Sequence, residues 1–141
     1  MFHQQDCMKL LLILVAVIEA MAGLALLLIP NVAVSLLLGV PLDTPTGLVA
    51  ARIAGAALAT LAIACWQARS GERGSPATGV VQAMLFYNLS ATMVLVYAGI
   101  RLDLRSALLW PAIVLHFCLG VWCVSNLWFT RRKLSRSEVT L

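Results

Sequence analysis

The stretch LLLILVAVIEAMAGLALLLI, Leu10–Ile29, is a 20-residue apolar run broken by one ionisable side chain, Glu19, near its middle. Twenty helical residues cover about 30 Å, the thickness of the hydrocarbon core of a bilayer. Three more runs follow, at 46–66, 79–100 and 107–129, and carry Arg52, Asn88 and His116 at comparable depth. Open strands cannot satisfy their backbone in lipid, so all four runs are expected to be helices. The expected fold is an all-α, four-transmembrane-helix up-and-down bundle forming one integral membrane domain over residues 1–141.

Composition points to the same class. Apolar residues make up 62% and charged residues 11% of the chain, against about 25% charged in soluble proteins. The net charge of +4 does not indicate a nucleic-acid partner, because Lys9, Arg69, Arg73, Arg131, Arg132, Lys133 and Arg136 all flank the runs. Those seven cations fall on one side if the helices alternate, and only Arg101 and Arg105 fall on the other. The positive-inside rule then places both termini in the cytoplasm. Trp66, Tyr97, Trp110 and Trp128 lie near the ends of runs, as an aromatic belt requires.

The connections differ in character. Residues 31–38 are too apolar for a solvated loop and too few to cross, so they are expected to form a short interfacial helix capped by Asn31 and ended by Gly39. Pro111 lies in the first turns of the last run, where its missing N–H costs least. The segment 69–76 is polar and turn-rich, and the cytoplasmic tail 130–141 is charged and expected to fray. Lys9 followed by an apolar run and Ala20-Met21-Ala22 also fits a cleaved signal peptide loosely. Against cleavage, Glu19 would precede the cut and the run continues seven residues beyond Ala22.

The polar layer carries whatever chemistry the chain has. Measured from the midpoints of the runs, Glu19 lies within about 1 Å of the midplane, Asn88 about 2 Å inward, His116 about 3 Å outward and Arg52 about 6 Å outward. Each has small residues one turn away: Ala16 and Gly23 beside Glu19, Gly55 and Ala56 beside Arg52, Ala91 beside Asn88, Ala112 and Gly120 beside His116. Small residues allow close helix contact in lipid, so all four polar groups are expected to face inward, with Glu19 and Arg52 as an ion pair. A charge at mid-helix costs about 2.5–3.5 kcal/mol, which makes pairing the expected outcome. Tyr87, next to Asn88, completes the candidate ligand or proton site. Every one of these residues also has an architectural reading, as a register-fixing pair, interhelical glue or a core histidine.

Several chemistries have no support. There is no Gly-rich phosphate loop, nucleophile elbow, carboxylate pair or zinc spacing. No cofactor is evident, since His3 precedes the first run and a second axial haem ligand is lacking. Hydrolysis is disfavoured; an isomerase using Glu19 and His116 as acid and base stays open. Cys7, Cys65, Cys118 and Cys123 include no Cys-x-x-Cys, and the last two point about 140° apart on a helix. They read as small buried hydrophobes, with an approach of Cys65 to Cys123 left open.

Leu28-Ile29-Pro30 followed by Leu38-Gly39, Ala50-Ala51-Arg52-Ile53-Ala54-Gly55 and Tyr87-Asn88 resemble the small bacterial inner-membrane proteins called DoxX-like. That resemblance implies a four-helix fold, a bacterial inner-membrane location and an accessory role beside quinone-linked redox enzymes. The expected function is binding of a small amphipathic, quinone- or lipid-like ligand at the polar layer, or service as an accessory subunit of a membrane redox complex. Val17-Ile18-Glu19-Ala20 also resembles the first helix of small multidrug transporters, which implies a proton-coupled exporter; Arg52 is the departure, because a neighbouring cation would occupy Glu19. A third reading is a purely structural subunit, in a homo-oligomer or a larger membrane complex.

Overall fold

A computed structural model describes residues 3–70 and 76–138. It contains α1 (His3–Leu28), α2 (Pro30–Leu38), α3 (Pro45–Ala68), α4 (Pro76–Arg101) and α5 (Leu109–Glu138), with no strand among the described residues. Four of them, α1, α3, α4 and α5, are long and apolar enough to cross a membrane. Large apolar side chains such as Phe86, Leu28 and Met21 stand exposed around the outside, as they do where lipid rather than water is the solvent. The protein is thus a multi-pass, four-helix membrane bundle with a short helix between its first two spans.

Two helix ends differ from the sequence expectation. Pro30, not Asn31, opens α2, and the preceding Ile29 makes no side-chain cap. A proline at the first helical position has no N–H to leave unsatisfied, so no capping side chain is needed. The tail does not fray at residue 130. Instead α5 runs on to Glu138, because residues 131–138 contain no helix breaker and extending a formed helix costs little. The Arg132 guanidinium lies 4.6 Å from the centre of the Trp128 ring on this extension. Most of the expected polar connection 69–76, and the last three residues, fall outside the described residues.

Other punctuation follows the sequence. Gly39 ends α2 in the left-handed region at φ 78°, with its N–H donating to Ser35 O. A side chain there would also strike the Arg105 carbonyl. The Ser106 hydroxyl donates to Leu36 O, so the end of α2 is tied to the α4–α5 connection. Thr44 caps α3 by accepting from the Gly47 N–H at 3.1 Å, and Pro45 takes the first helical position.

The bundle is built from two close helix pairs, α1 with α3 and α4 with α5. The first pair approaches backbone to backbone. A Cβ on Gly23 would lie 2.8 Å from Ala59 N and Gly55 O, and one on Gly55 would lie 2.7 Å from Gly23 O. In the second pair Gly120 faces Asn88, and Gly99 faces Leu109. Between the pairs the residues are larger: Leu11, Leu12, Val15, Val81, Met84 and Leu119 fill the seam. This wider seam is where polar side chains have room.

Candidate functional site

Gly23 on α1 sits between Gly55 and Ala59 on the antiparallel α3, and this register fixes what can meet Glu19. By counting along both helices, Glu19 is level with Leu61, and Arg52 is level with Leu28, an axial separation of about 13 Å. The expected Glu19–Arg52 ion pair is therefore absent. Arg52 is exposed, and the ion pair found among the described residues is Arg105–Asp103 at 3.0 Å. The cause is a rotation of about 100° per residue: α3 buries Ala51, Gly55 and Ala62, which carries Arg52 to the outer flank. Its Cβ leans toward the N-terminal end of α3, so the chain can extend to the membrane surface about 10 Å away.

The other four residues do come together. Glu19 is 1% exposed, on the α1 face that turns toward the seam with Leu12 and Val15. The Tyr87 side chain on α4 lies beside the Glu19 carboxylate, its hydroxyl within reach of it. The Glu19 Oε1 atom is buried with no hydrogen-bond partner among the described residues. On its other side the Tyr87 ring meets His116 edge-on, with centroids 5.6 Å apart and planes at 81°.

His116 and Asn88 lie 2.9 Å apart, Nδ1 to Oδ1. Asn88 Nδ2 donates to the Met84 carbonyl at 2.8 Å, and a carbonyl can only accept. The amide orientation is thereby fixed, Oδ1 faces the imidazole, and the proton of the neutral ring belongs on Nδ1. Nε2 is then the acceptor of that ring. Asn88 itself is 0% exposed, and its backbone carbonyl accepts from the Thr92 hydroxyl at 2.7 Å. The layer runs Glu19, Tyr87, His116, Asn88 across three helices.

Two buried residues one to two turns from this layer had only a weak signal in sequence. Cys65 and Cys123 are both 0% exposed and free, and Cys65 lies near both Glu19 and Cys123. Their spacing in the chain carries no motif; only the packing of α3 and α5 onto one core brings them together. Among the described residues no three His, Cys, Asp or Glu side chains group as metal ligands.

Fold and site together define a polytopic four-helix membrane protein with a buried polar layer between two helix pairs. Comparison with protein-family models, curated proteins and solved structures finds no match for the chain. What the layer handles is therefore argued from its chemistry.

Proposed function

We propose that this is a bacterial inner-membrane protein, with both termini cytoplasmic, that binds a small amphipathic quinone- or lipid-like molecule at the Glu19 layer, alone or as an accessory subunit of a membrane redox complex. One observation carries the reading: a carboxylate oxygen buried at mid-span with no partner among the described residues. A buried polar atom left unsatisfied costs about 1–3 kcal/mol, and a bound hydroxyl would remove that cost. Glu19 Oε1 and His116 Nε2 both accept, so a ligand head bearing hydroxyl donors, such as a quinol, complements them better than a head with acceptors alone. Its apolar tail would lie among the lipid-facing helices.

The test is titration of the protein in nanodiscs with a short-chain quinol, read by the fluorescence of Trp122, which packs against the same core, with Trp66, Trp110 and Trp128 replaced by phenylalanine in every protein compared. Saturable quenching is expected, with Glu19→Leu weakening it by about tenfold or more, the equivalent of one hydrogen bond to a charged group. Arg52→Leu should leave it unchanged. No saturable signal in the parent protein refutes the reading.

A second reading gains from the position of Arg52. The cation expected to occupy Glu19 lies elsewhere, which leaves a lone acid at mid-span, as a proton-coupled exporter of cationic molecules requires. Proteoliposomes under an imposed pH gradient would accumulate a lipophilic cation if this holds, and Glu19→Gln would abolish the accumulation. Failure of both binding and transport leaves the structural-subunit reading.

A further inference from the structure

One groove lies away from the polar layer. It has a volume of about 410 Å³ and lies between α1 and α3, floored by Ala16, Ala20, Ala59 and Ala62. Leu24 and Ile63 wall it, and Trp66 and Gln67 stand at one end. Ala20 and Val17 point about 100° and 160° away from Glu19 around α1, so the groove opens on the opposite flank of the α1–α3 contact. The polar layer and the groove are separate features.

Two cations stand at the Trp66 end. Arg69 holds its guanidinium 3.7 Å from the centre of the Trp66 ring and donates to the Trp66 carbonyl, which fixes it over a residue that lines the groove. Lys9 is exposed on α1. It is seven residues from Ala16 and eleven from Ala20, spacings that bring all three within about 20° of one line along the helix. The register set by Gly23 puts Arg69 level with Leu11, about 3 Å along the axis from Lys9. One cation from each helix therefore marks the same end of the groove.

We infer that this groove binds an anionic phospholipid, its acyl chain lying along the alanine floor and its phosphate held between Lys9 and Arg69. The floor extends about 12 Å from residue 16 to 24, wholly apolar, and ends at the side of the bundle where Lys and Arg concentrate. Two cations facing one phosphate favour a headgroup that brings no cation of its own. A second copy of the chain is a poor occupant, because that side carries seven Lys and Arg against Asp6, Glu72 and Glu138, and like charges would meet.

The experiment is native mass spectrometry of the purified, delipidated full chain titrated with phosphatidylglycerol and with phosphatidylcholine of matched acyl chains. Phosphatidylglycerol should bind more tightly by fivefold or more. Lys9→Gln and Arg69→Gln should each weaken it about fivefold, and the double variant should bind the two lipids equally. Lys9 is exposed, so its replacement does not depend on refolding of the core. Ala20→Leu, which fills the groove, should weaken both lipids alike. Arg52→Leu, which removes an exposed cation about 25 Å along the axis from Arg69, should change neither, which separates the Lys9–Arg69 pair from a general effect of charge. Equal affinity for the two lipids in the parent protein, or charge variants that keep the preference, would overturn the inference. So would a dimer that Ala20→Leu converts to monomer.

Discussion

Replacing Glu19 by leucine and Tyr87 by phenylalanine together should make the protein more stable while removing the binding proposed for the polar layer. Glu19 is 1% exposed and its Oε1 has no partner among the described residues, an arrangement worth about 1–3 kcal/mol of destabilisation. A bond from the adjacent Tyr87 hydroxyl would return part of that; hydrogen bonds between membrane helices contribute about 0.6 kcal/mol on average and up to about 1.7. Tyr87→Phe alone leaves the carboxylate with less satisfaction and should lower stability by about 1 kcal/mol. Glu19→Leu alone relieves the carboxylate but strands the tyrosine hydroxyl, and the two effects should nearly cancel. The double variant removes both polar groups and should exceed the parent by about 1–2 kcal/mol. Reversible unfolding in mixed micelles across the four proteins gives the coupling energy. Single changes that add within about 0.5 kcal/mol, or a double variant no more stable than the parent, would refute the buried Glu19–Tyr87 bond. A double variant no more stable than the parent would also remove the unsatisfied oxygen on which the proposed binding rests.

The α1–α3 contact makes a second test: Gly55→Val drives atoms into the Gly23 carbonyl and the Leu27 N–H and should cost about 1–3 kcal/mol. Gly79→Ala has nothing within 4 Å of its new carbon and should be neutral or stabilising by up to about 1 kcal/mol in the same unfolding assay. Arg52→Leu should change stability by less than about 0.5 kcal/mol and add to Glu19→Gln; a strongly non-additive pair would restore the ion pair that the register excludes. With the native cysteines removed, Thr44→Cys should react with an impermeant thiol reagent from outside intact cells and Ser75→Cys should not. The reverse labelling would invert the topology.

Much of the buried polar layer was legible in the run Leu10–Ile29 and its three counterparts, for a reason particular to membranes. A polar side chain in hydrocarbon is costly enough to stand out from sequence alone, and Glu19, Asn88 and His116 were marked by that cost. Tyr87 entered as a neighbour of Asn88; its place between Glu19 and His116 depends on how α4 turns relative to α1 and α5. Arg52 shows the limit of the same reasoning. Its neighbours Gly55 and Ala56 gave two adjacent small-residue ridges, one buried and one exposed, and a single helix offers no means of choosing between them. The end of α2 was readable through Gly39, whereas Pro30 displaced Asn31 as its start because a proline at the first helical position removes the need for a cap.

The number of spans, their helical state and the polar residues at their centres were decided by sequence, because lipid penalises any other use of twenty apolar residues in a row. Pairing was decided by tertiary structure alone. The contact of Gly23 with Gly55 and Ala59 sets a register in which Arg52 stands about 13 Å from Glu19 along the bundle. It also turns Lys9 and Arg69 to one end of a groove and leaves Glu19 facing Tyr87 across the seam. Periodicity shows which residues share a face; only the partner helix, and the distance at which backbones can meet, determines what that face touches.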